Sequence, residues 1–144
     1  MNVLVDTPVW SLALRRRQTD LNPREQVLTQ ALAELIREGR AQMIGVIRQE
    51  LLSGIREEEG FRKLRDYLRA FDEPGMTAED YEEAAQMHNR CRKEGIGGSP
   101  ADFLICAVAQ RRGWQIFTID QDLERYGRVL SLKLYAGRWR DNLV

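Results

Sequence analysis

A chain of 144 residues that is 43% hydrophobic and 31% charged has the composition of one globular domain, not of a disordered or fibrous chain. It can bury about two-thirds of its unfolded surface, so folding demands neither a disulfide nor a structural metal. The 22 basic and 22 acidic residues cancel, which excludes a broadly cationic nucleic-acid or membrane binder and leaves any polyanion site to a local basic patch. No apolar run has the length of a bilayer span, and the start, interrupted by Asp6 with its arginines downstream, does not read as a signal peptide. A cytoplasmic protein with no membrane contact is expected.

The first element is the β-branched run Asn2 to Val5, ended by Asp6. A run without polar alternation suits a strand buried on both faces, as in a parallel sheet. Thr7 and Pro8 open a helix from Val9 to Leu14, with Thr7 able to accept hydrogen bonds from the first amides and Pro8 where no N–H is needed. Taken alone, Asp6 reads as a turn or capping residue, or as a site residue at a strand's carboxyl end. Arg15, Arg16 and Arg17 follow, either a solvated helix end or a phosphate contact.

Asn22-Pro23-Arg24-Glu25 is a helix start, and Val27, Leu28, Ala31, Leu32, Leu35 and Ile36 continue it as an apolar stripe. Ala41 to Ile44 reads as a second strand, and Gly45 to Ile47 turns into a helix through Ile55 that carries Glu50. A charged break from Arg56 to Gly60 precedes a helix marked by Phe61, Leu64, Leu68 and Phe71, with a weakly marked strand near Ala70 to Asp72. A capping box at Thr77 opens a helix that runs to Glu94 and stops at Gly95. It contains His88, the only histidine, so no histidine-based metal cluster exists and a packed or surface role is expected. Cys91 and Cys106 form no metal-like pair and read as small buried residues.

Gly97-Gly98-Ser99-Pro100-Ala101-Asp102 is a pliable loop followed by an N-cap, a proline at the first helical position and a capping-box acid. The helix after it is nearly all apolar and should be the most buried of the set. Trp114 to Asp120 reads as a strand ending in an acid. Gln121 to Tyr126 reads as a short helix and Val129 to Leu132 as a last strand. The tail from Lys133 to Val144, with Tyr135 and Trp139, is expected to pack on the domain or on a partner.

Acids thus recur at strand-to-helix junctions: Asp6, Glu50, Asp102 and Asp120, with Asp122 close by. Each has a local excuse, but a shared sheet edge gives them a common purpose. Carboxylates gathered in a cleft repel one another, and with no histidine or cysteine cluster the hard cations Mg²⁺ or Mn²⁺ are the natural counterions. Such a site can activate water and neutralise a phosphate, the chemistry of phosphodiester hydrolysis.

The ordered set Val5-Asp6-Thr7-Pro8-Val9-Trp10, Gln49-Glu50-Leu51-Leu52, Ser99-Pro100-Ala101-Asp102-Phe103 and Thr118-Ile119-Asp120-Gln121-Asp122 resembles the successive motifs of PIN-domain ribonucleases, and most of all the VapC-type toxins of toxin–antitoxin pairs. The resemblance covers the whole chain, so a single domain over 1–144 is expected. It implies an α/β fold, a three-layer α/β/α sandwich with a mostly parallel sheet. It implies a Mg²⁺- or Mn²⁺-dependent endoribonuclease in which Asp6, Glu50, Asp102 and Asp120 are catalytic and metal-binding, Asp122 is an auxiliary ligand, and Thr7 and Thr118 support the site. It also implies a homodimer, a structured RNA substrate such as tRNA or rRNA, and an antitoxin partner whose basic side chain enters the acidic cleft. Pro8 and Leu123 depart from the commoner Ser and Phe, and neither departure removes an acid. On this reading Glu50 orients or deprotonates water, attack leaves a 3′-hydroxyl and a 5′-phosphate, and Arg15 to Arg17 with Arg48 hold RNA. A phosphatase of the haloacid-dehalogenase type would need a second Asp at Pro8. A receiver-like domain would need a late lysine. A non-catalytic RNA-binding PIN module, or a PIN nuclease of RNA maturation without an antitoxin, is the alternative within the family.

Overall fold

The computed structural model of the chain describes residues 1–136. At its centre is β1 (Val3–Val5), three apolar residues with no measurable exposure. Neighbouring strand residues face opposite sides of a sheet, so total burial of all three means that both faces are covered by helices. β1 pairs in parallel with β2 (Ala41–Gln42) on one side and β3 (Gln115–Phe117) on the other. Val3 stands opposite Ala41 and Gln115, Leu4 opposite Gln42 and Ile116, and Val5 opposite Phe117.

The helices are α1 (Thr7–Leu14), α2 (Pro23–Arg37), α3 (Gly45–Leu52), α4 (Glu58–Leu68), α5 (Ala78–Lys93), α6 (Pro100–Arg112) and α7 (Gln121–Tyr126). α1 packs on α2 and α3, α3 on α4, and α5 on α6, which lies against β1 and β3. The layered α/β/α arrangement expected from the sequence is therefore the one observed. α2 opens with the full capping box: Asn22 Oδ1 accepts from the Glu25 amide at 2.8 Å and Glu25 Oε1 from the Asn22 amide at 3.0 Å. α6 is as apolar and buried as expected, with Phe103 and the run from Ile105 to Ala109 in the core. Among the described residues no helix is long and apolar enough to cross a membrane.

α6 is anchored at its far end by the acid of the Thr77 capping box, in a second role that the motif does not reveal. Asp80, 1% exposed, accepts hydrogen bonds from Arg111 Nε (3.0 Å), from both terminal nitrogens of Arg112 (3.0 and 3.1 Å) and from the Thr77 amide (3.0 Å). The Arg112 guanidinium is the first cause of a carboxyl pKa far below the usual carboxylate range. One buried carboxylate thus ties the start of α5 to the end of α6.

Several sequence boundaries shift. α1 begins at Thr7, so the N-cap is Asp6 itself and not Thr7. The second strand covers Ala41 and Gln42 only, and α4 already begins inside the charged break, at Glu58. No strand forms at Ala70 to Asp72. The Ala70 and Phe71 amides close the end of α4 onto Tyr67 and Leu68, the Phe71 carbonyl accepts from Arg48, and the Phe71 ring packs edge-on against Trp10. β3 ends at Phe117, because Thr118 to Asp120 turn away to cap α7. Nor is Val129 to Leu132 a strand. Val129 and Leu130 donate to the Tyr126 carbonyl, and the sheet contact comes later, as a single parallel bridge between Ile116 and Leu134. Of the tail, Leu134 and Tyr135 pack on the core, while Trp139 lies outside the described residues.

Candidate functional site

Asp6 is fixed by its backbone before its side chain is considered. Its N–H donates to the Phe117 carbonyl at 2.8 Å, continuing the β1–β3 ladder by one step, and its carbonyl accepts from Val9 and Trp10 in the first turn of α1. The carboxylate is 4% exposed. Oδ1 caps α1 by accepting from the Thr7 amide at 2.9 Å, and Oδ2 accepts from Thr118 Oγ1 at 2.8 Å. The same hydroxyl accepts from the Asp120 amide at 3.0 Å, so Thr118 joins the end of β1 to the turn after β3. Asp120 then caps α7, Oδ1 accepting from the Asp122 amide at 2.9 Å.

The other two acids arrive from helices. Thr7 Oγ1 donates to Glu50 Oε1 at 3.1 Å, so Glu50, in the second turn of α3, stands beside the Asp6 junction. Asp102 lies in the first turn of α6. Ser99 caps this helix, its Oγ accepting from the Asp102 amide at 3.1 Å. The Asp102 carboxylate receives the Tyr126 hydroxyl at 2.9 Å on Oδ2. Capping therefore accounts for the Asp102 backbone, and its carboxylate is turned towards α7.

Asp102, Asp120 and Asp122 each offer one oxygen, and these atoms lie within 4.8 Å of one another. Asp6 stands next to this group, joined to Asp120 through Thr118. Burial, the largest cause, together with the charges of Asp102 and Asp120, pushes the Asp6 carboxyl up to about 6 against the hydrogen bonds of Thr118 and Thr7. Burial also raises Asp102, and the charges of Asp120 and Asp122 add to it. Arg125 Nη2 pairs with Asp122 at 2.7 Å; among the described residues Asp6, Glu50, Asp102 and Asp120 have no ion pair. A group of carboxylates with several oxygens converging and a single ion pair between them is the donor set of a hard divalent cation. Asp102, Asp120 and Asp122 fit one directly, with Asp6 joined to them through Thr118; Glu50 reaches the Asp6 junction through Thr7 and is not brought into the group.

The other residues singled out from the sequence fall elsewhere. Arg48 is a brace: Nε donates to Glu73 Oε1 at 2.6 Å and Nη2 to the Phe71 carbonyl at 2.9 Å, so two of its guanidinium nitrogens are engaged within the protein. Arg16 pairs with Glu25, whereas Arg15 and Arg17 are exposed and form no ion pair among the described residues. His88 is packed, as expected, its ring stacked on Phe103 at 4.6 Å. Cys91 and Cys106 are buried, and burial, the first cause for both, raises their thiol pKa values, which keeps them protonated. The residue that sequence reasoning passes over is Tyr126. It reads as the apolar end of a short helix, and only the fold brings its hydroxyl to Asp102.

The model of the PIN domain family matches residues 3–129. Solved structures share the fold at low identity. FitAcB from Neisseria gonorrhoeae superposes with a TM-score of 0.71 at 19% identity, over 93% of this chain and 96% of that one. VapBC2 from Rickettsia felis, solved bound to a promoter DNA fragment, gives 0.69 at 15% identity, over 94% and 98%. A toxin–antitoxin complex from Klebsiella pneumoniae gives 0.60 at 16% identity, over 83% and 88%. With the match running from β1 past the end of α7, and the acids of the first, third and fourth motifs joined at one sheet edge, the chain belongs to the PIN domain family.

Proposed function

We propose that this protein is a Mg²⁺- or Mn²⁺-dependent endoribonuclease, the toxin of a toxin–antitoxin pair, acting on structured RNA such as tRNA or rRNA. The observation that carries the reading is the convergence of Asp102, Asp120 and Asp122 within 4.8 Å beside the buried Asp6. In this reading Asp102 and Asp120, with Asp122 as an auxiliary ligand and Asp6 beside them, would hold the ion, and a bound divalent ion would supply charge neutralisation at the phosphate and acidification of water. Glu50, exposed and oriented by Thr7, accepts the proton of the attacking water. The water oxygen bonds to phosphorus, the P–O3′ bond breaks with O3′ taking a proton from solvent, and the products carry a 3′-hydroxyl and a 5′-phosphate. Asp6 and Thr118 act as the rigid floor that keeps β1 and α7 in register. The toxin assignment draws on the likeness to toxin–antitoxin complexes, and it brings an antitoxin partner and a homodimer with it.

The test is cleavage of a total tRNA pool by the purified chain with Mn²⁺, with EDTA, and with Asp6→Asn. Mn²⁺-dependent fragments with 5′-phosphate ends are expected, with at least a hundredfold loss in EDTA and in the variant on the scale of removing one key electrostatic contributor. Full activity in EDTA or in Asp6→Asn overturns the reading.

A further inference from the structure

We propose that Tyr126 is a positioning residue for the metal site, its hydroxyl fixing the orientation of the Asp102 carboxylate across a gap that Gly98 keeps open. The inference rests on the metal-site reading above and adds a residue and a glycine to it.

A buried tyrosine hydroxyl needs some partner, so the contact alone does not set Asp102 apart. The surroundings do. Tyr126 has no measurable exposure, and its ring lies 4.7 Å from that of Phe103, the residue after Asp102 on α6. A Cβ placed on Gly98 would stand 2.7 Å from Tyr126 Cζ and 2.9 Å from Phe103 Cε2, and closer still to the hydroxyl. Gly98 does not have the positive φ that explains Gly95 or Gly113. Its missing side chain is therefore a matter of space: any other residue requires Tyr126, Phe103 or the loop itself to shift.

α7 supplies the second argument. It is a single short helix whose start carries Asp120 and Asp122, and Tyr126 follows Asp122 by one turn, on the same face. One rigid body thus contributes two of the three clustered carboxylates and the hydrogen bond that orients the third. Partners that orient metal-binding carboxylates commonly change metal affinity by about 10- to 100-fold when removed.

The probe is Mn²⁺ alone, titrated calorimetrically into the full chain. Tyr126→Phe keeps the buried ring and loses only the hydroxyl. We expect Mn²⁺ to bind it about 10-fold more weakly. Tyr135→Phe, whose ring packs on Phe117, serves as the control and should bind Mn²⁺ like the wild type. Wild-type Mn²⁺ affinity in Tyr126→Phe overturns the inference, including the case in which the melting temperature falls and the affinity does not, which would assign Tyr126 to packing. Gly98→Ala, in samples with wild-type circular dichroism, should weaken Mn²⁺ as well; unchanged affinity there overturns the part given to Gly98. Wild-type protein that binds no Mn²⁺ overturns this inference together with the metal site. Mn²⁺ binding without RNA cleavage, with Tyr126→Phe weakened, supports the positioning role while the nuclease reading fails.

Discussion

At the scale of single residues, Asp6 holds two jobs that pull against each other. As the N-cap of α1 and the acceptor for Thr118 it favours being ionised, yet its burial opposes ionisation and prevails, giving a carboxyl near 6. A folded-state pKa raised above 3.8 means that the neutral form is preferred in the fold. Its stabilising effect is complete below 3.8 and disappears as pH rises through about 6. The two values differ by an amount equivalent to roughly 3 kcal/mol at most. Asp102, also raised, acts in the same direction, whereas Asp80, with its lowered pKa, acts only below the usual carboxylate range. Denaturant unfolding in EDTA should therefore find the wild type more stable at pH 4.5 than at pH 7.5, and Asp6→Asn should show a smaller difference, the part that Asp102 contributes. At pH 7.5 without metal the variant should be the more stable protein, less whatever is lost where its amide NH₂ meets the Thr118 hydroxyl. Mn²⁺ should reverse the order by stabilising the wild type more than the variant. Equal wild-type stability at the two pH values would remove the conflict assigned to Asp6.

At the scale of elements, α6 is held at both ends by different chemistry. Ser99, Pro100 and the Tyr126 contact set its start, and the Asp80 cluster with Arg111 and Arg112 sets its end. Ten residues of helix rise about 15 Å, which separates Asp102 from Arg112. Asp80→Ala removes the hydrogen-bonded carboxylate and leaves two arginines that can still reach water, so the loss should be about 3 kcal/mol of folding stability, at the lower end for a broken buried pair. Mn²⁺ affinity of the folded protein should stay within error of the wild type; a marked fall would show that the two ends are coupled. The same helix shows what the sequence makes legible. Ser99-Pro100 and Asn22-Pro23 act on amides within one turn, so their signals are local and the starts of α6 and α2 are readable. The strands are only two or three residues long, and their ends depend on what the next residues bind. Thr118 leaves β3 because its hydroxyl is shared by Asp6 and Asp120, and Arg48 serves α4's end because Glu73 and Phe71 are folded onto it. Contacts of that range, like Tyr126 to Asp102 or Asp80 to Arg112, leave no trace in spacing.

At the scale of the whole molecule, the proposed action on RNA requires a neutral chain with an acidic site to attract its substrate locally. The acids at the junctions repel phosphate until a cation is bound, and Arg48 already spends two of its nitrogens on Glu73 and Phe71. Arg15 and Arg17 remain. Arg15 follows α1, the helix capped by Asp6, and its Nη2 would lie 3.6 Å from a side-chain carbon on Gly54, just beyond the end of α3, which carries Glu50. A guanidinium at that point serves two helix C-terminal regions electrostatically, and that role needs no RNA. The two roles separate under salt. If Arg15 and Arg17 each neutralise one phosphate of a single-stranded region, each releases counterions and adds about 0.7 to the slope of log affinity against log salt. Binding is measured on Asp6→Asn, so that RNA remains intact. Adding Arg15→Ala and Arg17→Ala together should lower affinity for all RNA sequences alike and reduce the slope by about 1.4. An unchanged slope, with only a lower melting temperature, would assign both arginines to the helix ends and move the RNA grip elsewhere on the surface.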